Sequence, residues 1–333
     1  MIQRLPILQF RPKKVTPSEL QAAAAQRKGT EFFQQFGFGP LVKYRQPLFA
    51  YNEILRVLQE CRAADLAAYK EIHKGGPFYW LGMTAYMFRD IETSVYFMDA
   101  AVAEDLRSNP AAIDTPAMLF ITLRGDHPHQ AAREFVAMSE DVIGAIIHTY
   151  LKYQGRDAAL IDLTIEDLRN KFLYAATQPA NRRLRSVATA LLSFFLEGSK
   201  RKVQLDNVLN PGSYEPFILH LFKGGLLVES LIKLNPKNPP TGKTLGSVLN
   251  HVANDLGIPT GLSISANELQ DVIHQSDSAT WTIQNAFQIA GRIRNTTGHS
   301  LGWEITLTFD QYGALLQHLC VACLHTISAL YIQ

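Results

Sequence analysis

Cysteine is scarce in this chain. Cys61, Cys320 and Cys323 are too few, and of the wrong parity, for a disulfide framework, which favours a reducing compartment. Charge of one sign is scarce as well. The 32 Lys and Arg against 30 Asp and Glu leave a net charge of +2, so no general field attracts nucleic acid and any RNA contact must be local. The N-terminal Met1-Ile2-Gln3-Arg4-Leu5-Pro6 lacks the continuous apolar stretch of a secretory signal, with Arg11, Lys13 and Lys14 close behind. Apolar runs such as 188–196, interrupted by Thr189 and Ser193, fall short of the ~20 residues that span a bilayer. These absences predict a soluble, cytoplasmic protein without a membrane partner. Glycine-rich phosphate loops and serine nucleophile elbows are missing too, which removes two common routes to nucleotide and ester chemistry.

What is present reads as helix. At 333 residues and 47% apolar composition the chain has room for about two domains, each burying its own core. Thr16-Pro17-Ser18-Glu19 has the pattern of a capped helix start, predicting a helix that ends before Gly37-Phe38-Gly39-Pro40. A second helix is expected from Gln46 to His73, stopped by Gly75-Gly76-Pro77. Phe78, Leu81, Gly82 and Ala85, followed by Ser94, Met98 and Ala101, have the spacing of a helical hairpin of tetratricopeptide type. The repeat is degenerate and has no convincing second copy. Further helices are expected over 115–123, 129–153, 164–177 and 180–197, the third opened by a capping pair, Thr164 and Asp167. Asn207, Asn210, Pro211, Gly212 and Pro216 then cluster, which places a domain boundary near 205/206.

Beyond it, apolar spacing predicts helices around 218–232 and 245–256, a third capped by Ser265 and Glu268, and a fourth with Ile283, Ala286, Phe287, Ala290 and Ile293 inward. That fourth helix is expected to end near Asn295. A short extended piece over 303–307 follows, and Thr308 with Gln311 caps the last helix. The predicted fold is therefore all-α, with a helical regulatory or interaction domain over 1–205 and a helical bundle over 206–333.

Two stretches fit Arg-x4-His, where about half a match is expected by chance from ten histidines and ordinary arginine content, so the spacing alone carries little. Arg124 to His129 has glycine after the arginine and Pro128 near a helix start, which a capping turn explains. Arg294 to His299 differs: Asn295 follows the arginine, and the stretch joins two strongly apolar helices. An arginine holds phosphate through paired N–H donors, and a histidine moves a proton near neutral pH. His318, Cys320, Cys323 and His325 resemble zinc ligands in sequence. Residues two apart on a helix point about 200° apart, however, so small core cysteines and no metal are expected. Arg182-Arg183-x-Arg185 and Lys200-Arg201-Lys202 are the dense basic clusters; without interleaved aromatics they read as solvated helix ends rather than an RNA path.

The C-terminal stretch from about 210 to 333 resembles a HEPN domain, a family of small helical bundles, many of them ribonucleases, defined by Arg-x4-to-6-His with Asn, His or Asp often after the arginine. Phe222-Lys223-Gly224-Gly225-Leu226-Leu227-Val228-Glu229-Ser230-Leu231 is similar to first helices of that family. The resemblance implies that Arg294 and His299 are the catalytic pair and Asn295 an auxiliary polar group, with Arg292, Thr296 and Thr297 beside them as RNA contacts. It implies a C2 homodimer through the C-terminal helices, since such enzymes generally join two motifs. A tyrosine two residues after the histidine marks a toxin–antitoxin branch of the family, and here that position is Leu301. The motif offers no carboxylate cluster for magnesium. The expected activity is therefore metal-independent endoribonuclease action by the RNA 2′-hydroxyl, without cofactor, in phage defence or a stress response, with a protein partner on the N-terminal helices conceivable. The alternative is a helical RNA-binding or protein-interaction module that does not cut.

Overall fold

The computed structural model describes residues 13–156, 162–207, 213–297 and 305–332. The protein is all-α, 73% helical, and no strand or sheet occurs among the described residues. It forms two compact units, one up to Ala117 and one from Met118.

The first unit opens with α1 (Pro17–Ala25) and α2 (Gly29–Gln34) in place of the one helix expected before Gly37, and α3 (Phe38–Tyr44) follows. The break comes at Arg27, whose φ of 56° is left-handed and interrupts the helical ladder. Thr16 stands at the N-cap, but its side chain makes no cap bond, and Glu19 pairs with Lys13 at 3.5 Å. The second predicted helix is also divided, into α4 (Pro47–Ala64) and α5 (Leu66–Glu71). Asp65 caps α5 by accepting from the Ala68 N–H at 2.9 Å.

Two cations close the C-terminal end of α5. Lys74 Nζ donates to the Tyr69 and Ile72 carbonyls at 2.9 and 2.7 Å, and Arg107 to those of Glu71 and Ile72 at 3.2 and 3.1 Å. Gly75-Gly76-Pro77, expected as a stop, begins α6 (Gly75–Met87), where proline is tolerated in the first turn. The predicted hairpin is formed: α7 (Ile91–Ser108) packs on α6, and Gly82 lies against Ser94 and Met98. Phe32, Phe33, Phe36 and Phe38 meet Leu20, Ile54 and Leu81 in the core of this unit.

α8 (Pro116–Ile121) leads into the second unit, followed by α9 (Gln130–Tyr150). Thr164 and Asp167 form the expected capping box at α10 (Ile165–Asp167), which continues through a π-helical Leu168–Leu173 into α11 (Tyr174–Ala176). Then come α12 (Arg182–Asn207), α13 (Glu215–Lys233), α14 (Leu245–His251), α15 (Leu269–Ser278), α16 (Ile283–Thr297) and α17 (Phe309–Ile327). The Thr308–Gln311 box opens α17 as predicted. Ser265 does not cap α15, whose N-cap position is held by Glu268 without a side-chain bond.

α17 is the centre of this unit, with α9, α12, α13, α15 and α16 all packed against it. The helical stretch 309–332 is long and apolar enough to cross a membrane, contrary to the expectation from unbroken runs, and 83% of its apolar window is buried by the other helices. Gln317, His318 and His325 interrupt the run in sequence, and both histidines are buried in the fold. Because α9 and α12 bury α17, the boundary at 205/206 falls inside a single unit. α12, which runs through it, packs against α13.

Three buried tyrosine–histidine pairs tie α17 to its neighbours. Tyr312 hydroxyl meets His220 Nδ1 at 2.9 Å, and His220 Nε2 meets the Phe194 carbonyl at 3.0 Å. Tyr150 hydroxyl meets His325 Nδ1 at 3.3 Å, and His325 Nε2 meets the Leu256 carbonyl at 2.8 Å. A carbonyl only accepts, so each Nε2 carries the proton and each Nδ1 accepts from the tyrosine. His318 bonds Tyr153 through Nδ1 at 3.2 Å and stacks on Trp281, while its buried Nε2 has no hydrogen-bond partner among the described residues. Cys320 and Cys323 are buried core residues, as their helical positions predicted. The basic clusters are partly consumed by the fold: Arg185 is buried, Lys200 pairs with Glu197, and Arg201 donates to the Pro216 carbonyl.

Candidate active site

α13 and α16 cross at two small residues. A Cβ on Gly225 would lie 2.9 Å from Arg294 Cβ and 3.0 Å from the Ala290 carbonyl oxygen, so only glycine permits this approach. On a second side of α16, a Cβ on Gly291 would meet Ile264 Cγ2 at 2.5 Å. The chain at 263–264 therefore runs close to α16, and Arg292 Nε donates to the Ser263 carbonyl at 3.1 Å while Asn295 Nδ2 donates to that of Ile264 at 3.1 Å. Those two carbonyls lie just before Ser265 and fasten the chain there to α16.

One helical turn beyond Gly225, Glu229 receives Arg294. The Nε to Oε2 distance is 2.7 Å and Nη2 to Oε1 is 3.5 Å, a side-on approach of guanidinium to carboxylate. Lys233, four residues on, reaches Glu229 Oε1 at 2.5 Å. Burial alone would raise the Glu229 pKa, but hydrogen bonds and charges from Lys233 and Arg294 outweigh it and hold the carboxyl below its usual range. Arg294 Nη1 also contacts Asn295 Oδ1 at 3.3 Å. A guanidinium has five N–H donors. Three contacts are made among the described residues, and the side chain is 31% exposed.

Arg294 and Asn295 are thus brought together at the end of α16, and Arg292 is tied to Ser263 and Gln275. Thr296 and Thr297 do not present hydroxyls outward: both are buried, and Thr296 bonds back to the Arg292 carbonyl at 2.7 Å. Their expected role as RNA contacts is corrected on that ground, since the helix turns them toward the core. His299, with 298–304, lies outside the described residues, as does the first part of the extended piece expected at 303–307.

Sequence reasoning missed Glu229 and Lys233. The available signal was a glutamate inside an otherwise apolar helix with a lysine one turn later. At the other Arg-x4-His, Arg124 holds Asp126 at 2.7 Å and His129 occupies the N-cap position of α9 without a side-chain cap bond. No family model, curated protein or solved structure matches this chain.

Proposed function

We propose that the second unit is a metal-independent endoribonuclease of the HEPN type, acting through Arg294 and His299. The observation that carries this reading is the seat of Arg294: a guanidinium oriented by a buried carboxylate, flanked by an ordered asparagine and still open to solvent. That is how a phosphate-binding arginine is pre-organised. Glu229 is engaged by two cations, so its charge orients Arg294.

RNA supplies its own nucleophile. As the 2′-oxygen bonds to phosphorus and the bond to the 5′-oxygen breaks, His299 takes the 2′-hydroxyl proton or gives one to the leaving oxygen. Arg294 bears the charge that grows on the phosphate, and Asn295 orients the guanidinium. A single chain offers one such histidine, so the reading includes a C2 homodimer in which a second His299 fills the complementary role.

Purified protein incubated with RNA in EDTA should yield fragments ending in 2′,3′-cyclic phosphate, and a 2′-deoxy nucleotide should block its own site. His299→Ala should slow cleavage by about 10²- to 10⁴-fold, while His129→Ala should leave the rate unchanged. Magnesium-dependent 3′-hydroxyl products, or equal loss in both variants, would place the chemistry elsewhere. Intact RNA would favour a binding module. Light scattering checks the assembly separately, where an active monomer contradicts the shared site.

A further inference from the structure

A cleft of about 480 Å³ opens between α9, α12 and α17 and shares no residue with the Arg294 site. Its walls are aliphatic and aromatic, with Val142 and Ile146 from α9, Phe195 from α12, and Leu316 and Val321 from α17. A docked helix of ~10 Å diameter fills roughly 400 Å³ per turn, so the cleft is too small for a partner helix. It falls inside the ~300–1,000 Å³ typical of small-molecule sites.

One cation borders this apolar space. Lys202 is half-buried, and its Nζ stands 4.4 Å from the Phe309 ring centroid with no carboxylate paired to it among the described residues. Removing an ammonium from water without an anion is unfavourable, so the position is complementary to negative charge. Asp141, the acidic residue of the lining, is exposed at the rim, where solvent screens it. We propose that this cleft binds a small amphiphilic anion, a medium-chain carboxylate or alkyl phosphate, with its hydrocarbon tail along Val142, Phe195 and Leu316 and its head on Lys202.

Calorimetric titration of the full chain tests this with hexanoate, octanoate, decanoate and decyl phosphate, using decanol and decyltrimethylammonium as controls. Affinity should rise about fourfold per methylene along the carboxylates. Lys202→Gln should weaken both decyl anions at least about tenfold and leave decanol unchanged, whereas Lys202→Arg should retain them. Ala145→Trp, on the exposed wall, should abolish binding of every probe while circular dichroism stays that of the parent. A stronger signal from decyl phosphate identifies a phosphate head, and one from decanoate a carboxylate. Absence of saturable anion binding, or decyltrimethylammonium binding as tightly as decanoate, overturns the proposal.

Discussion

Arg294→Ala should lose both RNA cleavage and stability, and adding Glu229→Gln should restore stability alone. Removing the guanidinium leaves a buried carboxylate with only Lys233 beside it. Breaking a fully buried pair costs about 3–5 kcal/mol, and an unsatisfied buried polar group about 1–3 kcal/mol. Because Arg294 is partly exposed and Lys233 remains, the lower range, about 1–3 kcal/mol, is expected. Glu229→Gln removes the charge that needed a partner, so most of that loss should return in the double variant. Urea unfolding and a cleavage assay on all four proteins separate the two roles. If cleavage returns together with stability, Arg294 serves the fold and takes no part in the chemistry. The ion pair with Glu229 thus gives Arg294 a part in the fold beside its proposed part in the chemistry.

Acidification should destabilise the second unit well before its carboxylates titrate. Burial, with the nearby Arg201 charge, lowers the His220 pKa to about 3, and burial lowers that of His318 to about 4. In the unfolded chain both return to ~6.5. Between those limits the unfolded state binds more protons, so stability falls as pH drops from ~6.5 toward the folded values. By pH 4 the loss is on the order of 3 kcal/mol for each histidine. Glu229 acts lower: its depressed pKa gives stability that is present above ~4.3 and lost as pH falls through the folded value. Urea midpoints at pH 7.5, 5.5 and 4.5 read the slope. The Tyr153→Phe/His318→Phe variant keeps two aromatic rings edge to face and should flatten the slope by about one proton. Equal stability at pH 7.5 and 4.5 would mean that these histidines ionise within the fold.

Local signals in the sequence were reliable where their partners were local. The Thr164–Asp167 and Thr308–Gln311 boxes formed because donor and acceptor are three residues apart, and the further bonds to Lys171 and Asp277 use other atoms of Asp167 and Gln311. Thr16–Glu19 had the same letters, but Lys13 draws Glu19 away. The Gly82 spacing marked a hairpin because its partners, Ser94 and Met98, lie in the next helix. Elements that depend on distant contacts were not legible. Nothing near Gly291 announces that residue 264 lies against it, and nothing near Glu229 announces Arg294, 65 positions away. One compact unit runs across 205/206 for the same reason: composition marks turns, whereas the packing of α9 and α12 on α17 joins helices from both sides of that point.

The tyrosine–histidine pairs along α17 bear on uniqueness more than on strength. A helix apolar on nearly every side can rotate or slide among its neighbours with little change in buried area. Tyr312, His318 and His325 remove that freedom, because their bonds to His220 on α13, Tyr153 just past α9 and Tyr150 at its end fit a single register. A slip of one residue would strand three buried polar groups at once. Polar atoms that weaken the core against acid therefore also select one arrangement of the bundle from many of similar packing energy.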